Sequence, residues 1–175
     1  RRVGLNQNRV LSIGFVASTL YGGLPVLVRK LRQKMPDLDI QLLELLSVQQ
    51  IPALKEGRID IGFGRLRQSD PGVTSTVIYE ERLALAVPPD SPLGRESGTL
   101  PFSALSGEKL IVYPKEPRPS YADQVLTLVQ EADIRLGEVQ EVREIQTALG
   151  LVAAAAGLCI IPASARQMRA DLQFR

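Results

Sequence analysis

Apolar residues run almost unbroken from Val10 to Val16 and give way to Ala17-Ser18-Thr19, then Gly22-Gly23 and Pro25. This is the pattern of a buried strand, a tight loop and a helix start. Leu24, Leu27, Val28, Leu31 and Met35 then recur at helical spacing, with Arg29, Lys30, Arg32, Gln33 and Lys34 on the other face until Pro36 stops the run. The segment predicts an amphipathic helix laid on a sheet. Ile40 to Leu46 is a second β-type run, Ser47 to Glu56 a short helical stretch closed by Gly57, and Ile59 to Phe63 a third strand. Strands and helices alternating through short connections predict right-handed βαβ units on a parallel sheet, so the first lobe is α/β.

Asp70-Pro71-Gly72 is a turn cluster, and the β-rich run Val73 to Val87, broken by Glu80-Glu81-Arg82, reads as a strand leaving one lobe and entering another. Pro88 to Gly107 is mostly loop around a short helical piece near Phe102 to Leu105. The same grammar then repeats, with strand Lys109 to Tyr113, a proline-rich loop Pro114 to Pro119, and a helix opened by Ser120 and striped by Tyr121, Val125, Leu128, Val129 and Ala132. Ser120 with Asp123 three residues on resembles a capping box, with Asp in place of the usual Glu or Gln. Strand Glu138 to Val142, an apolar helix Ile145 to Ala156 ended by Gly157, strand Leu158 to Ile161 and a last short helix Ala163 to Met168 complete the chain. The expected organisation is a tail over residues 1–9, lobe I over 10–79 with 162–175, and lobe II over 80–161. Two crossings, near Ile78 to Leu83 and Ile161 to Ala163, would hinge this clam-shaped molecule.

A composition of 45% hydrophobic and 23% charged residues agrees with a globular chain long enough to bury its own core. The 21 Lys and Arg barely outnumber the 19 Asp and Glu, which argues against this segment gripping phosphate backbones. Arg1, Arg2 and Arg9 read as a solvated tail rather than a nucleic-acid arm. The single Cys159, inside an apolar run, reads as a buried core thiol and is compatible with a reducing cytoplasm, although periplasmic proteins often lack disulfides too. No signal peptide or membrane span is visible, and a chain that begins Arg-Arg-Val without Met reads as a fragment of something longer.

With no histidine and one buried cysteine, the commonest general base, metal ligand and thiol nucleophile are missing. Asp60 and Glu44 lie within strand-like runs and neither has a second carboxylate at motif spacing, so no catalytic residue and no metal site is expected. Gly62-Phe63-Gly64-Arg65 lacks the dinucleotide and Walker patterns, so no nucleotide cofactor is indicated. The sequence does offer loops at the carboxyl ends of parallel strands, where open α/β sheets place ligands. Ala17-Ser18-Thr19, Ser47 and Pro119-Ser120-Tyr121 each bring hydroxyls and backbone N–H groups to an expected helix N-terminus. An anion gains roughly 0.3–1 kcal/mol from the helix dipole there. Each loop taken alone also reads as a plain helix cap. Pro52 removes an N–H early in the second helix and complicates its first turn.

Two stretches carry a family resemblance. Leu54-Lys55-Glu56-Gly57-Arg58-Ile59-Asp60-Ile61-Gly62-Phe63-Gly64-Arg65 and the run from Gly150 to Pro162 resemble the effector-binding domain of LysR-type transcriptional regulators. Tyr113-Pro114, Arg118-Pro119-Ser120-Tyr121 and Val142 to Leu151 are similar, more narrowly, to the cis,cis-muconate-responsive regulators of catechol and benzoate degradation, and the likeness covers residues 10–172. The resemblance implies the fold of type 2 periplasmic binding proteins, with the effector in the cleft between lobes. It implies effector contacts from Ser18, the N–H of Thr19 and Ser47 in one lobe and from Pro119, Ser120 and Tyr121 in the other. Arg65 and Glu144 match charged positions that couple ligand binding to activation, and each also reads as half of a structural salt bridge. Tyr79 stands where benzoate-responsive relatives have an arginine, which speaks against a second effector site.

Three functions compete at this level. The first is the inducer-sensing domain of a LysR-type activator, cytoplasmic and non-enzymatic. Its partners would be a small dicarboxylate such as cis,cis-muconate, other copies in a homodimer or homotetramer, DNA through a winged helix-turn-helix ahead of residue 1, and RNA polymerase. The family's domain also continues past the last residue, Arg175, with elements that complete the first lobe. The second is an extracytoplasmic solute-binding protein on the same fold. An enzyme on that scaffold is the third and least supported, because it would work without His or an exposed Cys.

Overall fold

The structure, a computed structural model, describes residues 9–96 and 98–175. Residues 1–8 of the expected tail lie outside them, and Arg9 already opens the first strand. The chain divides into two compact α/β units, one ending at Ser75 and the other spanning Thr76–Arg175.

In the first unit, β1 (Arg9–Phe15) lies between β2 (Leu38–Glu44) and β3 (Ile61–Phe63) in a three-stranded parallel sheet. The register aligns Ile13 with Leu42 on one side and Ile61 on the other. Ile13, at the centre of that row, is 2% exposed. Helix α1 (Leu24–Lys34) covers the sheet with Leu24 and Val28, which pack with Ile13, Phe15 and Ile40 in one small core. Its basic residues stay outside, as the amphipathic pattern predicts. Helix α2 (Ser47–Lys55) turns its Ala53 and Gln50 inward and ends before Gly57, whose φ of +73° is the left-handed conformation expected of a helix terminator.

The second unit holds a five-stranded sheet in the order β6-β5-β7-β4-β8. Strands β5 (Lys109–Val112), β6 (Glu138–Glu141) and β7 (Leu158–Pro162) are parallel, joined through α3 (Tyr121–Glu131) and α4 (Ile145–Ala153). Its core is larger and includes Leu110, Ile111, Leu149, Val152, Cys159 and Ile161. Strand β4 (Leu83–Val87) runs antiparallel to β7, and β8 (Gln173–Phe174) antiparallel to β4.

Three expectations are corrected here. The run Val73 to Val87 is a strand only from Leu83, because Val77, Ile78 and Tyr79 are exposed and enter no ladder that would turn their β propensity into a strand. The second sheet is mixed rather than wholly parallel. Residues 162–175 join the second unit instead of the first. Ala165 and Leu172 are buried in the second core with Phe174 packed against it, and Leu85 exchanges two backbone hydrogen bonds with Arg175, so the segment takes up the open edge of β4.

Candidate functional site

The parallel register of the first unit brings the carboxyl ends of its three strands together. Leu45 N–H donates to Phe15 O (2.9 Å) and Val16 N–H to Phe63 O (3.1 Å), carrying the sheet past the last formal ladder pairs. Ser18 follows β1, Ser47 follows β2 and Arg65 follows β3. The Arg65 side chain donates from Nε to Ser18 Oγ (2.6 Å), and its backbone N–H donates to Ser47 Oγ (3.1 Å). One arginine thus joins two hydroxyls that lie 47 and 18 residues away in sequence. In both bonds the serine accepts, so its own proton stays available to donate. Two hydroxyls beside an arginine are groups of the kind that hold an anion.

Ser18 lies inside a single 3-10 turn, Ala17–Tyr21, separate from α1, whose N-cap is Gly23. Thr19 is committed within that turn, with N–H (2.9 Å) and Oγ1 (2.6 Å) both donating to Val16 O. The expected free Thr19 N–H is therefore corrected: the turn consumes it. Ser47 is the first residue of α2 rather than its cap. Leu46 holds the cap position, where Gln49 Oε1 accepts from Leu46 N–H (2.9 Å). Pro52 lies inside this helix, past its first turn.

In the second unit Ser120 is a full N-cap. Its Oγ accepts from Ala122 N–H (3.2 Å) and donates to Pro114 O (2.6 Å), while its N–H donates to Asp123 Oδ2 (2.7 Å). The capping box with Asp is formed. Pro119 precedes it on the exposed loop, and Tyr121 begins α3 with its ring centroid 5.5 Å from that of Tyr113. The sequence reading assigned no role to Arg118, which grips Asp123 through two nitrogens (2.7 and 2.5 Å) and Glu141 at the end of β6 (2.5 Å). The Arg118 guanidinium holds the Asp123 carboxyl below the usual carboxylate range, helped by the Ser120 N–H. Glu144 is the exposed N-cap residue of α4, with no cap bond from its side chain.

Asp60 and Cys159 have structural surroundings, and Glu44 is exposed at the end of β2. Asp60 Oδ2 accepts from Ser12 N–H (2.8 Å), tying the start of β3 to β1. Burial pushes the Cys159 thiol up, away from the reactive thiolate. Among the described residues no group of three or more His, Cys, Asp or Glu is placed to hold a metal ion, and none of their helices is long and apolar enough to cross a membrane.

An α/β pair of units whose strand ends carry hydroxyls and an arginine defines a ligand-binding domain. Residues 6–175 match the LysR substrate binding domain, and the chain belongs to that family. It is 68% identical over its whole length to the probable cat1 operon transcriptional activator of Acinetobacter lwoffii, covering 58% of that protein. It is 45% identical to the HTH-type transcriptional regulator CatR of Pseudomonas putida over 99% of the chain and 60% of that relative. The chain thus spans less than two thirds of the length of these relatives, which are named as regulators, not enzymes. Among solved structures, the BenM effector binding domain with its effector benzoate superposes with a TM-score of 0.86 at 38% identity, covering 95% of this chain and 76% of that one.

Proposed function

We propose that this chain is the inducer-sensing domain of a LysR-type activator of aromatic-compound degradation genes, and that its inducer is a small dicarboxylate such as cis,cis-muconate. The observation that carries the reading is the seat in which Arg65 joins the Ser18 and Ser47 hydroxyls. Each unit contributes ligand-binding groups of its own. Ser18, Ser47 and Arg65 hold a carboxylate, and Pro119, Ser120 and Tyr121 supply backbone and an aromatic face. Since the Ser120 N–H and hydroxyl are engaged in its cap, Ser120 acts by shaping the loop. Thr19 likewise shapes the turn that presents Ser18. Glu144 and Arg65 couple the occupied seat to activation.

In this reading the whole protein works in the cytoplasm as a homodimer or homotetramer, binds DNA through a winged helix-turn-helix and contacts RNA polymerase. The names of the two relatives, an operon activator and an HTH-type regulator, support it. Ligand control requires the inducer to favour one conformational state, and a 100-fold preference corresponds to about 2.7 kcal/mol.

The test is calorimetry of the 175-residue chain with cis,cis-muconate and with benzoate. Ser47→Ala and Arg65→Met should each weaken muconate binding by about tenfold or more, the scale of a hydrogen bond to a charged group. Wild-type affinity in both folded variants would remove the anion seat from the effector site.

A further inference from the structure

We infer that Gln50 is a positioning residue of the effector seat, fixing the ends of β2 and β3 at the spacing that lets Arg65 reach both Ser18 and Ser47; this rests on the effector reading above. Gln50 is only 5% exposed, on the inward face of α2. Its side-chain Nε2 donates to two backbone carbonyls, Leu45 O (3.1 Å) and Phe63 O (2.9 Å). Each carbonyl lies two residues before a seat residue, Leu45 before Ser47 and Phe63 before Arg65. An amide NH2 has two hydrogens in one rigid plane, so the pair of bonds sets a distance. β2 and β3 are not neighbours, and β1 pairs with each of them, so Gln50 adds a direct tie across the two ladders.

The glycines of Gly62-Phe63-Gly64, which match no nucleotide motif, find their purpose here. A Cβ on Gly62 would run into Gln50 Oε1, and one on Gly64 would stand 2.9 Å from Ser47 Oγ. Both positions leave room for the side chains that build the seat. The Phe63 carbonyl between them accepts from Val16 N–H as well as from Gln50, so one oxygen connects the strand that leads to Ser18 with the one that leads to Arg65.

A general core tie and a positioning residue differ in what their loss disturbs. The test uses the 175-residue chain with Gln50→Glu, Gln50→Met and Gly62→Ala, Ser47→Ala serving as the seat control. The first readout needs no ligand: amide hydrogen exchange at Arg65, whose N–H is held by Ser47 Oγ, against Ile13 and Leu43 within the sheet. The second is calorimetry with cis,cis-muconate. The expected result for the Gln50 variants is Arg65 exchange about tenfold faster with sheet amides unchanged, and muconate binding about tenfold weaker. Folded Gln50 variants with wild-type exchange at Arg65 would overturn the inference. Should the Gln50 variants not fold, Gly62→Ala, which displaces the same amide group, decides it by the same exchange measurement. A wild-type chain that binds no muconate would instead count against the effector reading, and the exchange result would still judge Gln50.

Discussion

The three serines singled out by their positions have different roles. Ser120 spends its hydroxyl on Ala122 N–H and Pro114 O, whereas Ser18 and Ser47 accept from Arg65. Asp123 completes the Ser120 cap and is itself held by Arg118. Its carboxyl titrates below its ordinary value in the folded protein, first because of Arg118. A depressed folded pKa means that the stabilisation is whole above the unfolded value, about 3.9, and is lost as pH falls through the lower folded value. Asp123→Asn should therefore melt lower than wild type at neutral pH, and the gap should narrow below about pH 4. Thermal melts from about pH 2 to pH 7 check this, and parallel acid slopes would show that Asp123 is not linked to folding. The cap was legible because it depends on residues three apart. Arg118 escaped notice because its second partner, Glu141, is 23 residues away.

At the scale of elements, the pattern along the chain located helices α1 to α4 and the β runs of strands β1 to β7, and it missed β8. In α4 the residues Ile145, Ala148, Leu149 and Val152 are buried, which is the i, i+3, i+4, i+7 face of a helix packed on a sheet. Leu149 is fully buried, so Leu149→Ala should cost about 2–5 kcal/mol in urea unfolding, with an unchanged m-value. A loss under about 1 kcal/mol would mean that the site collapses around the smaller side chain. The expectations that failed concern pairing. Val77, Ile78 and Tyr79 have strand propensity but lie exposed outside any strand. Gln173–Phe174, with little propensity signal of its own, becomes a strand because β4 presents an edge to it.

At the scale of the whole molecule, the two units are unequally provided with core. The first packs α1 and α2 on a three-stranded sheet, with its core cluster around Ile13, Phe15 and Ile40, while the second buries all of β4 but Leu83, most of β5 and all of β7. Local stability follows buried apolar surface, so amides of β1 and β2 should exchange before those of β5 and β7. Hydrogen exchange followed by mass spectrometry reads this order directly, and equal protection of both sheets would contradict it. The unit with the smaller core carries Ser18, Ser47 and Arg65, so a ligand that holds these groups should slow exchange most in the first unit.

The linear chain was enough to establish the α/β class, the helices, the capping box at Ser120 and the absence of histidine and of an accessible cysteine. These follow from periodicity, composition and contacts a few residues apart, all of them local. The seat at Arg65, the tie made by Gln50, the use of Gly62 and Gly64 and the docking of β8 on β4 belong to the folded molecule. Each depends on which strands become neighbours and in what register, and that is set by how the apolar faces pack together rather than by any short stretch of sequence.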